Sequence, residues 1–377
     1  MSKIIGIDLR CLPTDGFTGS GVAHAARALC MRLEESRILN SELRFRFYVP
    51  KGARWKLGDI VELKNQTGGA LRSAMAKKPC DLLFVPGGSI APGMKCPAVP
   101  WVHDLIIFEH PEWFNQNFFQ RKLTTYFFAK GLKKAPIVFA VSEYTKSKIV
   151  DLLRIDSDMI VVTGEGGDPA LSALNNEQRT KNKETAKDFS KKEFDLKRPF
   201  ILCLGTVEPR KNIVMLIRAW KSVKSKSVTA PDLVVAGADG WKYDDVIKEI
   251  KSFNAAENQA FHRLRTVNDD QKRQLLLAAE LVAVPSFDEG FGLTALEAMQ
   301  AGAPVAVSDA GALPEVTGRA GMLINPQDDQ GWAAAISTCA NDAKACALRA
   351  RLGLEQSKKW TWEKAAEIMI KHLQKIV

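Results

Sequence analysis

Short, mostly apolar runs bounded by glycine, proline or charge recur along the first half of the chain, at positions 4–7, 45–49, 82–85, 99–102, 137–141 and 160–162. Stretches of helical spacing lie between them. Runs of this length with no regular polar face suit strands covered on both sides, and their alternation with helices predicts a parallel sheet between helical layers. A second series, at 200–204, 233–236, 281–284, 304–307 and 322–324, repeats the arrangement. Two α/β, doubly wound units are therefore expected. Between the series, positions 175–197 are polar and rich in Lys, Glu, Asn and Thr, which reads as an interdomain connection in the form of a surface helix. Near the end of the chain, Trp360, Trp362, Ala365, Ile368, Met369, Leu373 and Ile376 follow helical spacing with a wide apolar face. The domains read as 1–197 and 198–358, with a helix over 359–377.

A length of 377 residues suits two domains that each bury a full core. No stretch approaches the ~20 apolar residues of a membrane span. The opening Met-Ser-Lys-Ile-Ile-Gly-Ile-Asp reads as a strand and not as a signal peptide, so a cytoplasmic protein is expected. The seven cysteines are odd in number and include no Cys-x-x-Cys pair, which argues against a disulfide framework or a structural zinc. A net charge of +10 raises the question of nucleic acid, but no recognition motif accompanies it and no nucleic-acid partner is expected. A dinucleotide site is likewise unsupported, because no Gly-x-Gly-x-x-Gly turn follows a strand.

Candidate chemistry concentrates where the run 281–284 gives way to Asp288-Glu-Gly-Phe-Gly-Leu-Thr-Ala-Leu-Glu297. Glycines at a helix start leave outward-pointing N–H groups that suit a phosphate, and carboxylates on either side can accept from sugar hydroxyls. Arg210 and Lys211 follow the run 200–204 and so lie at a strand's C-terminal end, where open α/β sheets place their ligands. Together these features describe a nucleotide-sugar pocket.

With Gly205-Thr-Val-Glu-Pro-Arg-Lys-Asn212, Val102-His-Asp-Leu105, Pro111-Glu-Trp113, Thr18-Gly-Ser-Gly21 and Ala310-Gly-Ala-Leu-Pro-Glu-Val316, the same run resembles the family 4 retaining glycosyltransferases over nearly the whole chain. The resemblance implies the GT-B architecture: two Rossmann-like domains facing across a cleft, the first for the acceptor and the second for the donor, with the C-terminal helix crossing back to the first. It implies that Lys211 and Arg210 contact the donor diphosphate, that Glu289 faces the sugar, and that Glu297 accepts from the ribose. Backbone groups of Phe291, Gly292, Leu293 and Thr294 would bind sugar or phosphate oxygens, and Gly237 and Val267 would border the base. Thr206 stands where many members carry an arginine, so the second phosphate-binding cation falls to Arg210. In the first domain, His103 would act near the donor sugar with Asp104 orienting it, and Gly19 and Gly21 would approach the ligands through a turn without side chains.

The activity implied is retaining transfer of a hexose, with mannose from GDP-mannose favoured, to a glycan or polyprenyl-linked acceptor in surface-polysaccharide synthesis. A UDP-sugar enzyme acting on a small soluble acceptor and a silent nucleotide-sugar-binding scaffold stand as alternatives. No cofactor or metal is expected, since Arg, Lys and a helix terminus would neutralise the diphosphate. The Asp156-Ser-Asp158 pattern lies away from the donor motifs and reads as a solvated turn. Residues 1–197 hold 30 Lys+Arg against 22 Asp+Glu, an excess that fits a lipid-diphosphate acceptor, peripheral contact with an anionic membrane at its inner face, or a solvated basic surface. The aromatic and basic stretch 113–134 allows two readings, a core helix with a basic outer face or a segment that docks on a bilayer.

Overall fold

The computed structural model describes residues 3–14, 21–37, 43–227 and 229–377. The chain divides into two units, one of Met1–Pro111, Gln116–Gly166 and Thr361–Val377, the other of Glu112–Asn115 and Gly167–Trp360.

In the first unit, seven strands, β1 (Lys3–Asp8), β2 (Leu43–Pro50), β3 (Asp59–Leu63), β4 (Leu82–Val85), β5 (Ala98–Val102), β6 (Val138–Ala140) and β7 (Ile160–Val162), form one sheet in the order β3-β2-β1-β4-β5-β6-β7. Every pairing is parallel. The central strands β4 and β5 are buried at every residue, as their unbroken apolar sequences require. The helix Trp362–Leu373 packs on the helix Gly21–Arg37 and buries Trp362, Ala365, Ala366, Met369 and Leu373. Trp362 also meets Trp101 edge-on with 6.5 Å between centroids, and Arg32 pairs with Glu363 at 2.9 Å.

In the second unit, β8 (Phe200–Leu204), β9 (Asp232–Ala236), β10 (Phe261–Leu264), β11 (Leu281–Val284), β12 (Val305–Ser308) and β13 (Met322–Ile324) order as β10-β9-β8-β11-β12-β13, again wholly parallel. Strand order reverses between β8 and β11, which makes that position the crevice where doubly wound sheets bind their ligands. The core on one face is built by Ile213–Lys224, a helix that buries Leu216, Ile217 and Trp220. The polar helix Asn176–Phe194 starts from a capping box between Asn175 and Gln178. Placed in the first domain by the boundary at 197, it belongs to the second unit: Ala186 and Ser190 are buried, the helix packs on Asp269–Ala278, and Lys187 reaches Glu280 at 2.8 Å.

Two strands escaped the sequence reading, β3 and β10, and both are sheet edges. Water on one side lets Asp59-Ile-Val-Glu-Leu63 and Phe261-His-Arg-Leu264 carry charged and polar residues, so they lack the apolar run that marks the other strands, the edges β7 and β13 included. Among the described residues, no helix is long and apolar enough to cross a membrane.

Candidate active site

Two loops of the second unit, after β8 and after β11, meet at the switch point. Gly205 leaves β8 with φ +136°, a backbone conformation that favours glycine, and a Cβ there would stand 3.2 Å from Lys211 Cε. Gly237, after β9, is packed more tightly still: a Cβ would fall 2.2 Å from the Gly205 carbonyl oxygen. The chain then makes a 3-10 turn over Pro209–Lys211, opened by the fixed φ of Pro209 and closed by Asn212 at φ +51°. The Asn212 side chain donates to the Pro326 carbonyl after β13 at 2.7 Å, and the N–H of Phe287 donates to the Arg210 carbonyl at 2.8 Å, tying the β8 and β11 loops together.

That tie brings both cations onto one carboxylate. Lys211 Nζ lies 2.5 Å from Glu289 Oε1, Arg210 reaches Glu289 Oε2 at 2.6 Å, and the Ser286 hydroxyl donates to Oε1 at 2.8 Å. Arg210 also holds Glu208 at 2.7 Å and donates to the Asp288 carbonyl at 3.0 Å. Burial pushes the Glu289 carboxyl up, but Arg210, Lys211 and the two hydrogen bonds outweigh it and hold the group at about 2. Glu289 is thus a fixed anion. Gly311 (φ +62°) supports it from below, because a Cβ there would come within 2.6 Å of the Glu289 backbone. Trp113 stacks on Phe287 with 5.9 Å between centroids, so the Pro-Glu-Trp motif braces the same loop.

The helix Leu293–Ala301 begins at Gly292 (φ +103°), and its first internal bond runs from the Ala295 N–H to the Gly292 carbonyl at 3.0 Å. The amides of Leu293 and Thr294 therefore precede the helical ladder and carry the positive end of its dipole. The Phe291 ring turns away into an edge contact with Trp360 at 5.2 Å, leaving its backbone as the group available at the turn. Glu297 is buried and bonded by Lys272 at 2.8 Å; burial disfavours the ammonium, yet Glu297 raises the Lys272 pKa overall. Thr206 follows Gly205 in the same loop, and half-buried Val267 follows β10.

In the first unit, His103 leaves the end of β5. Its Nδ1 is 3.0 Å from Glu165 Oε1 and its Nε2 is 2.8 Å from the Pro86 carbonyl oxygen. Both partners can only accept when Glu165 is ionised, so this geometry requires a proton on each ring nitrogen. Burial opposes the charge, but Glu165, Pro86 and Asp104 raise the His103 pKa. The orienting carboxylate is therefore Glu165 and not Asp104, whose Oδ1 instead accepts from the Ile106 N–H at 3.2 Å. Gly21 opens the helix Gly21–Arg37, and among the described residues beyond its own helix none comes within 4 Å of where its Cβ would stand. Gly19 lies outside the described residues. Asp156 caps a 3-10 turn by accepting from the Asp158 N–H at 3.0 Å.

Glu208, Ser286, Lys272 and Glu165 were not singled out by the sequence. Glu165 carried a usable signal, since Gly164-Glu-Gly-Gly places a carboxylate between glycines just after β7, as Glu289 lies after β11. Lys272 and Ser286 are ordinary in sequence and acquire meaning only through folding.

The profile of the group 1 glycosyl transferases matches residues 184–359. The O-antigen chain mannosyltransferase B of Escherichia coli is 30% identical over 269 residues, covering 71% of this chain and 67% of that protein. The serotype-specific mannosyltransferase WbdA of Escherichia coli is 25% identical over 307 residues, 78% of this chain, which spans only 36% of that longer relative. Among solved structures, Anabaena HepE in complex with UDP and glucose superposes with a TM-score of 0.71 over 99% of this chain and 100% of its own, at 19% identity, and shares the fold.

Proposed function

From the fact that this chain belongs to the group 1 glycosyl transferases, we propose that it moves mannose from GDP-mannose to a hydroxyl of a glycan or polyprenyl-linked acceptor in surface-polysaccharide synthesis. The observation that carries the reading is the convergence of Arg210 and Lys211 on Glu289 at the β8/β11 switch point. Lys211 brings an ammonium with three donors, of which Glu289 takes one, so two can serve diphosphate oxygens. Amides at the start of Leu293–Ala301 add the positive end of a helix dipole to the same region. These groups, in place of a metal ion, neutralise the leaving diphosphate.

As the bond from C1 to the diphosphate oxygen breaks, positive charge builds on the sugar, and Glu289, ionised at any physiological pH, offsets it. The acceptor oxygen adds to the face that the diphosphate leaves. Its proton passes to a diphosphate oxygen, and GDP departs. Configuration is retained, and an inverted linkage in the product would contradict the scheme. The resemblance gives His103 a role near the donor sugar, and its bonds to Glu165 and the Pro86 carbonyl favour its charged form. Mannose is supported by the names of the two mannosyltransferase relatives, and the guanine base by the Gly-Thr-x-Glu-Pro-Arg-Lys-Asn form of the β8 loop. The enzyme works in the cytoplasm, where nucleotide sugars are supplied.

A thermal-shift panel tests the donor, because a ligand of the folded state raises the melting temperature by mass action. GDP-mannose and GDP should raise it most at equal concentration. A rise with UDP-sugars alone would overturn the GDP-mannose assignment and favour a UDP-dependent transferase.

A further inference from the structure

The helix Phe118–Lys133 of the first unit is built inside out. It starts cleanly, with Asn117 and Gln120 exchanging capping bonds at 2.9 and 3.2 Å, but Leu132 is its one fully buried residue. Phe128 lies half-buried against Phe108 on the inner side. Outward stand Phe119, 81% exposed, with Leu123 at 59%, Tyr126 at 57% and Phe118 at 52%. These are the four most exposed large apolar side chains among the described residues, and all fall within nine positions of one helix. Scattered exposed apolar residues need no explanation, but a cluster does. The basic outer face of this stretch thus also carries exposed aromatic and leucine side chains.

The cations share the apolar face. Positions 119, 122, 123, 126, 130 and 133 recur at steps of three and four, so Phe119, Leu123 and Tyr126 lie in one stripe with exposed Lys122, Lys130 and Lys133. Lys122 sits over the Phe118 ring at 4.5 Å and Lys130 over the Tyr126 ring at 5.3 Å. From 113 to 142 the chain has no acidic residue and five basic ones. A face that mixes aromatic side chains with lysines and excludes carboxylates is poorly matched to an apolar protein groove, which would have to bury the ammonium groups. It matches a surface that is apolar beneath and anionic above, where rings enter the interfacial layer and lysine stems carry their charges to phosphates.

We infer that the helix Phe118–Lys133 docks this protein on an anionic phospholipid bilayer, with Phe119, Leu123 and Tyr126 inserted at the interface and Lys122, Lys130 and Lys133 on the lipid phosphates. The inference does not depend on the donor assignment, and its test needs no nucleotide sugar.

Sedimentation of the full chain with vesicles provides that test. Vesicles of equal parts phosphatidylglycerol and phosphatidylcholine should bind the protein at least about tenfold more strongly than phosphatidylcholine alone, and the difference should shrink with added salt. F119S/L123S and K122Q/K130Q/K133Q should each weaken that binding by about tenfold or more with an unchanged melting temperature. Leu123→Trp provides a readout that does not require loss: its emission should shift to the blue on anionic vesicles only. Absence of binding to anionic vesicles, equal binding to both compositions, or binding unaltered in both variants would overturn the inference. A dimer abolished by F119S/L123S without vesicle binding would also overturn it, by assigning the face to a second copy of this chain.

Discussion

Replacing Glu289 by glutamine is expected to lower the rate of sugar transfer by about 10²–10³-fold, the loss seen when one preorganised electrostatic contact to a transition state is removed. Glutamine keeps the size and one acceptor oxygen, so the loops stay in place, but Lys211 at 2.5 Å and Arg210 at 2.6 Å lose the anion they share. Folding should suffer as well. A carboxyl held at about 2 against an ordinary 4.5 contributes on the order of 3 kcal/mol at neutral pH. Because the folded pKa is the lower one, that contribution is complete above the unfolded value and is lost as pH falls toward 2. Urea titrations of wild type and E289Q should thus differ by about 3 kcal/mol at pH 7 and by roughly half that near pH 3. A pH-independent difference would mean that Glu289 is not the anion described, and unimpaired transfer by E289Q would remove its proposed role.

The second large effect concerns His103, which the structure supplies with two acceptors, Glu165 and the Pro86 carbonyl. H103A should reduce transfer by roughly 10²-fold, as expected for loss of one positioned polar partner. E165Q is the more discriminating variant. The raised pKa of His103 means that its stabilising charge is complete below about 6.5 and is lost as pH climbs through the folded value. Wild-type activity should accordingly fall on the alkaline side of that elevated value, and E165Q should move the fall toward lower pH while sparing KM. Were Glu165 merely structural, E165Q would lower the melting temperature and leave the alkaline limb where it is.

The interior strands of both sheets were legible because burial on both faces leaves only apolar residues to write with, and 82–85, 200–204 and 281–284 match the observed strands residue for residue, while the edge strands 160–162 and 322–324 were legible because their residues are all apolar as well. The edge strands β3 and β10 were not, since water on one side permits Asp59, Glu62, His262 and Arg263. The donor loops were legible for a topological reason: Arg210, Lys211 and Glu289 follow strands that are adjacent only because the sheet order reverses there. Their partners were hidden by distance along the chain. Glu165 lies 62 residues from His103, and Lys272 lies 25 from Glu297, so neither spacing carries a local pattern. The helix Phe118–Lys133 has aromatic residues on several sides, and which side meets solvent is a property of the packed unit and not of the periodicity.

Calorimetric titration of GDP-mannose and UDP-glucose into wild type and K211A, at one fixed ionic strength, tests most directly whether the lysine beside Glu289 holds a sugar nucleotide's diphosphate. Loss of a charge-assisted hydrogen bond predicts that K211A binds the preferred donor about 10- to 100-fold more weakly than wild type. Undiminished affinity in K211A, or no heat from folded wild type with either sugar nucleotide, would contradict the assignment of this site.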